Sequence, residues 1–257
     1  MASEMRIAAF MALLLLAAGC ADRINNAPSV ANCPLEQTSD NGEVYYAAYD
    51  PCYWGNHTPT DFLNELKARP DRAVTVMQAP DDWIKKEHVA ELIKYVDSKE
   101  PAAPVVSMIS SYYPYNETST VGNEALFLIA GYRIARYPPN LCSVYYFKPD
   151  VAEVKAWWET VGKKGIIENT TAIQLVKNRY RDLNDYPSED QWPKTIDTKS
   201  APDGMYVGFM QLGSGVPIIS AECFFVGNNR SVRQIGTYNI KNQGMIMNFS
   251  LETCGAQ

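Results

Sequence analysis

Thr120-Val121-Gly122-Asn123-Glu124-Ala125-Leu126-Phe127-Leu128-Ile129-Ala130-Gly131-Tyr132-Arg133-Ile134 is the stretch from which the fold is read. Thr120 is suited to cap a helix, because its hydroxyl can accept from a first-turn amide. From Val121 to Ile134 the segment is apolar nearly all round, and a helix without a polar face is a buried one. Gly122, Ala125, Ala130 and Gly131 are small enough to let neighbouring helices approach closely. Arg133 and Arg136 complement the negative end of the helix dipole, and Pro138-Pro139 forbids continuation. The segment is expected to be the central helix.

On its N-terminal side, Ile84, Val89, Leu92, Ile93 and Val96 recur on one stripe, capped at Asp81 or Asp82. Val105 to Ser111 is a short apolar run, and Ala73 to Met77 and Val44 to Tyr49 are strand-like, the last ended by Asp50-Pro51. Between them Thr60 is placed to cap a helix over Phe62, Leu63 and Leu66. On the C-terminal side two amphipathic helices follow, one with Val151, Val154, Trp157, Trp158 and Val161, the next with Ile173, Val176, Tyr180 and Leu183. Such helix pairs separated by proline breaks suggest solenoid-like stacking, although no fixed repeat is present. Beyond Gly204 the period changes to two: Met205 to Leu212, Ile218 to Val226, Ser231 to Ile240 and Met245 to Thr253 are strand-length runs. Gly227-Asn228-Asn229 and Lys241-Asn242-Gln243-Gly244 are hairpin connections.

The fold class that follows is α+β, a helical body followed by a C-terminal four-stranded antiparallel β-meander. Residues 43–186 form the mainly helical body, 187–204 a linker rich in Asp, Pro, Ser and Lys, and 205–257 the meander.

Residues 1–42 carry an address. Ile7 to Gly19 is an apolar run of thirteen residues, too short for a bilayer core about 30 Å thick but suited to a secretory signal. Its end, Leu13-Leu14-Leu15-Leu16-Ala17-Ala18-Gly19-Cys20, resembles the lipobox of bacterial lipoproteins, with Ala17 where leucine is usually favoured. That resemblance implies a signal peptide over 1–19, diacylation of Cys20 and acylation of the amine freed by cleavage. The other reading is a plain signal cut after Ala21; both export the chain. Residues 20–42 read as a polar tether, and three acyl chains suffice for stable anchoring. Asp22 is not adjacent to Cys20, so the inner-membrane retention signal of enteric lipoproteins is absent and the outer membrane, facing the periplasm, is favoured.

A formal charge of −6 leaves no basic excess for phosphates, which argues against nucleic acid. Export places the remaining cysteines in an oxidising compartment. Cys33, Cys52, Cys142, Cys223 and Cys254 allow two bridges and one leftover thiol; Cys33–Cys52 is the preferred pair, Cys223–Cys254 the second, and Cys142 the odd one.

Chemistry has few carriers. His88 has no second histidine four residues on, so the zinc-protease motif is missing. His57 lies five residues from Cys52, but an exported cysteine near the chain entry reads as a disulfide rather than a nucleophile. Gly213-Ser214-Gly215 is followed by a β-run and does not fit a nucleophile elbow. Asp81-Asp82 and Glu189-Asp190 suit helix starts and loops. No catalytic residue, metal site or cofactor is expected. Two tyrosine clusters beside chain breaks remain: Tyr45, Tyr49, Tyr53 and Trp54, then Tyr112, Tyr113 and Tyr115. They read either as core packing or as an aromatic contact surface. The function expected is an envelope-anchored lipoprotein that binds another protein, of inhibitor or immunity type. The alternatives are a glycan- or peptidoglycan-binding envelope protein and an unrecognised hydrolase.

Overall fold

A computed structural model describes residues 33–184, 194–212 and 219–240. The expected signal, Cys20 and most of the tether lie outside these residues, as do Gly213-Ser214-Gly215, the Lys241–Gly244 connection, the Met245–Thr253 strand and Cys254. The chain divides into two units, Met1–Pro34 and Leu35–Gln257; the elements below belong to the second.

Strands run through the first half as well as the second, so residues 43–186 are not a helical body. β1 (Glu36–Thr38), β2 (Val44–Ala48), β3 (Val74–Val76) and β5 (Val105–Ser107) form one mixed sheet in the order β1-β2-β3-β5. β1 and β2 are antiparallel, whereas β2, β3 and β5 are parallel. Parallel neighbours require crossovers, and helices supply them: α1 (Pro51–Asn56) and α2 (Pro59–Ala68) before β3, α3 (Lys86–Leu92) before β5. Ala48, Val74, Val76 and Val105 are buried. Leu141–Ser143 extends the far side, with reciprocal backbone bonds between Ser107, Leu141, Ser143 and Val105. β4 (Pro101–Ala102) and β6 (Ser119–Thr120) pair separately. Solenoid stacking of helix pairs is not the arrangement found.

Local caps move several expected boundaries. Thr58, not Thr60, caps α2: its hydroxyl accepts from the Asp61 amide at 3.2 Å, while Asp61 accepts from the Thr58 amide at 2.9 Å. The Thr58 hydroxyl also donates to Asp61 Oδ2 at 2.7 Å, and with the Thr58 amide it holds the Asp61 carboxyl below its usual range. Asp81 and Asp82 precede α3 by a turn rather than capping it.

The central segment is α4 (Val121–Arg133), capped by Thr120 as expected, with Val121, Ala125, Phe127, Leu128 and Ile129 buried. Its two glycines, Gly122 and Gly131, face partners other than helices. A Cβ on Gly122 would stand 2.6 Å from the Ser98 carbonyl oxygen, and one on Gly131 would meet the Tyr137 ring at 2.9 Å. They make room for loop backbone and an aromatic ring. Two more helices follow, α5 (Val151–Trp157), continued by a π-turn over Trp158–Gly162, and α6 (Asn169–Asn184).

Among the described residues the C-terminal sheet has four antiparallel strands, and it begins one strand earlier than the sequence suggests. β7 (Lys194–Ala201) occupies the expected linker and forms a sheet with β8 (Gly204–Leu212), β9 (Ile219–Gly227) and β10 (Val232–Ile240), each paired with the next in the order β10-β9-β8-β7. Alternate residues Met205, Val207 and Phe209, with Phe224 and Val226, pack on Ala172, Leu175 and Val176 of α6. That is the burial a period-two pattern implies.

α6 and the β9–β10 hairpin also close the end of α4. The final turn of a helix leaves carbonyls without intrahelical donors. Here the Thr171 hydroxyl donates to the Arg133 carbonyl, Asn178 Nδ2 to that of Ala135 at 2.8 Å, and Arg230 Nη2 to that of Tyr132 at 2.8 Å. Asn178→Ala removes one donor and strands a buried carbonyl, so a loss of about 1–3 kcal/mol is expected. Urea unfolding checks it; an unchanged midpoint would mean that this contact does not hold α6 in place.

Candidate binding site

The tyrosine segments do not form one surface. Asp50-Pro51 starts α1 rather than merely ending β2: Asp50 Oδ1 accepts from the Cys52 amide at 2.8 Å and Pro51 occupies the first turn. That helix turns Tyr53 and Trp54 inward, to 1% and 5% exposure. They join Phe62, Trp83 and Tyr137 in an edge-to-face aromatic core. Both therefore leave the candidate contact surface.

The other five stay at or near the surface. Tyr45 is 40% exposed and its hydroxyl lies 3.3 Å from that of half-buried Tyr49. Tyr112 and Tyr113 are half-buried, the first donating to Glu117 Oε1 at 3.2 Å and the second to the Ala73 carbonyl at 3.0 Å. Tyr115 is 80% exposed, its ring 4.8 Å from that of Tyr113. Near the first segment the Arg72 guanidinium lies 5.7 Å from the centre of the Tyr46 ring, on the face of β2 opposite Tyr45. In the second segment burial pushes the Tyr113 hydroxyl up, and the Arg72 charge opposes the rise. An Arg–Tyr grouping of this kind is what protein interfaces enrich.

A cleft of about 840 Å³ lies elsewhere, where the Asp81–Glu87 segment, α6 and the β9–β10 hairpin meet. Its walls include Ile84, Tyr132 and Leu175, all buried, and its lining carries Lys85, Lys86, Lys164, Arg179 and Arg230. The size is that of ordinary ligand pockets. Sequence reasoning did not find it, because its cations come from four separate segments with no shared motif. Arg230 holds a left-handed backbone, φ 68°, and its guanidinium lies 4.1 Å from the Tyr132 ring centre.

The residues weighed for catalysis are otherwise engaged. Cys33, Cys52 and Cys223 are disulfide-bonded, which includes both members of the preferred Cys33–Cys52 pair, and among the described residues Cys142 is free. Burial pushes the Cys142 thiol up, away from the thiolate that nucleophilic chemistry needs. His57 stacks on Tyr53 at 4.2 Å; its Nδ1 lies 3.0 Å from the Tyr53 carbonyl and its Nε2 3.4 Å from Glu65 Oε1. Asp81 and Asp82 line the cleft. Glu189-Asp190 lies outside the described residues. Among the described residues, no three His, Cys, Asp or Glu side chains are grouped to hold a metal.

Comparison with known proteins finds no matching family model, no matching curated protein and no matching solved structure.

One buried acid had no signal in the sequence. Glu124 is fully buried in α4 beside Ser119, Asn123 and Ser143, and Asn123 Nδ2 approaches its Oε1 at 3.5 Å while Oε2 has no partner. Burial raises its pKa from 4.5 to about 7, against the pull of nearby Ser119, Ser143 and Asn123. Between those values the unfolded chain releases a proton that the folded chain keeps. Stability therefore falls as pH rises from about 4.5 to about 7 and levels above it, a contribution of about 3 kcal/mol. Glu124→Gln removes the ionisable group. The variant is expected to gain on the native protein between pH 4.5 and pH 8, read as urea midpoints; parallel midpoints would show that Glu124 does not titrate in that window.

Proposed function

We propose that this chain is an envelope-anchored lipoprotein that acts by occupying the surface of a partner protein through its Tyr45–Tyr49 and Tyr113–Tyr115 groups. The observation that carries the reading is the exposure of Tyr45 and Tyr115, each beside a second tyrosine of its own segment. Tyrosine covers contact area with few rotors, and arginine beside it adds directional donors.

Ring geometry favours a protein over a glycan. Sugars stack on flat, coplanar platforms, whereas the Tyr113 and Tyr115 rings are tilted by 54° and those of Tyr112 and Tyr145 by 63°. The hydrolase alternative gains no support from His57, whose two nitrogens already face Tyr53 and Glu65. The lipobox-like end at Cys20 supplies the anchor in this reading, and tethering raises the effective concentration for partners at the same membrane.

Two measurements test it. Cys20→Ser is expected to abolish acyl labelling and release the chain from membranes; persistent labelling would remove the anchor. Affinity purification of the full chain from envelope extracts should recover a stoichiometric protein, with Tyr45→Ala/Tyr115→Ala weakening capture on the order of tenfold or more. Equal capture by the variant would discard the tyrosine surface. Retention on peptidoglycan, lost in the same variant, would replace the protein partner with a glycan.

A further inference from the structure

The cleft beside α6 has a chemistry that the tyrosine surface does not share. Among the described residues its lining holds five positive side chains, Lys85, Lys86, Lys164, Arg179 and Arg230, against three carboxylates, Asp81, Asp82 and Glu87. That local excess of positive charge stands in a chain whose formal charge is −6. Several cations elsewhere are matched to acids. Lys67 pairs with Glu100, Arg69 with Glu65 and Lys94 with Glu91. Arg133 pairs with Glu153, Lys155 with Asp97 and Lys163 with Glu159. None of the five cleft cations is paired with a carboxylate among the described residues. In a protein with acid to spare, unmatched like charges gathered round one concavity repel each other unless an anion enters.

The same cleft has an apolar interior. Ile84, Tyr132 and Leu175 are buried wall residues, and Val232 is half-buried beside them. Lys85, Lys86, Lys164 and Arg179 are exposed at its lining. Arg230 is fixed from within by its bond to the Tyr132 carbonyl, which uses one of the five guanidinium N–H groups. An apolar interior with a few convergent cations is how pockets bind a ligand that has a greasy body and a charged head.

We propose that this cleft binds an amphipathic organic anion, an apolar body of small-molecule size bearing a carboxylate or a phosphate monoester. The head sits among Lys86, Lys164, Arg179 and Arg230, and the body lies against Ile84, Tyr132 and Leu175. The site shares no residue with the tyrosine surface, so either can fail without the other.

The test is calorimetric titration of the full chain with 1-naphthoate, with 1-naphthyl phosphate, and with neutral 1-naphthamide, each corrected for titration into detergent alone. One anion is expected to bind with unit stoichiometry and at least tenfold more tightly than the amide; which of the two binds assigns the head group. Lys86→Gln/Lys164→Gln/Arg179→Gln replaces exposed side chains, so it should fold, and should weaken the anion tenfold or more. Glu87→Gln removes an opposing charge and should tighten it. Equal affinity for anion and amide, absence of binding by both anions, or unchanged affinity in the triple variant would each overturn the proposal.

Discussion

The end of α4 is where the two halves of the chain are joined, and the reason is unsatisfied backbone. A buried helix terminus cannot hand its last carbonyls to water, so donors must come from elsewhere in the fold. Thr171 and Asn178 from α6 and Arg230 from the β9–β10 hairpin meet the carbonyls of Arg133, Ala135 and Tyr132. The Tyr132 carbonyl also accepts locally from the Ala135 amide at 3.1 Å, whereas those of Arg133 and Ala135 are met by the chain returning more than thirty residues further on. The same three contacts seat the C-terminal sheet against α6, since Ala135 and Ile167 belong to the core that Met205, Val207 and Phe224 complete.

The other end of α4 is set by space. Gly122 lies so close to the Val96 and Ser98 carbonyls that no side chain fits between, which places the segment after α3 directly on the helix start. Next to it, Glu124 is a carboxyl on a helix that otherwise buries apolar groups. Its burial disfavours the ionised form, and the surrounding hydroxyls and amide recover only part of that cost. A pocket of about 450 Å³ lined by Ser119, Asn123 and Ser143 lies outside it, so the polar cluster continues towards the surface.

Charge is distributed in the same uneven way. Surface lysines and arginines with nearby acids contribute little individually, whereas cations kept apart from acids raise the local potential and define where an anion is welcome. The cleft cations are of the second kind. Their convergence depends on the closure at α4, because Arg230 reaches the cleft from the hairpin that caps Tyr132 and Arg179 reaches it from α6.

What the residues determined unaided is local. Val121 to Arg133 as a buried helix, Thr120 as its cap, Val44 to Ala48 as a strand and the Gly227-Asn228-Asn229 turn are all carried by patterns within one segment. Tertiary structure decided the class. Ala73 to Met77 was legible as strand-like and Val105 to Ser111 as an apolar run. Runs so short do not encode which neighbours they pair with, so the parallel pairing of Val74–Val76 with Val44–Ala48 and Val105–Ser107 was not legible. Lys194–Ala201 pairs as a strand although its composition is that of a linker, because β8 offers it a complete ladder of partners. Tyr53 and Trp54 were drawn inward by the turn of α1, and five cations from four segments were brought to one cleft. Each of those outcomes depends on residues distant in the chain, and no local pattern encodes a distance across the fold.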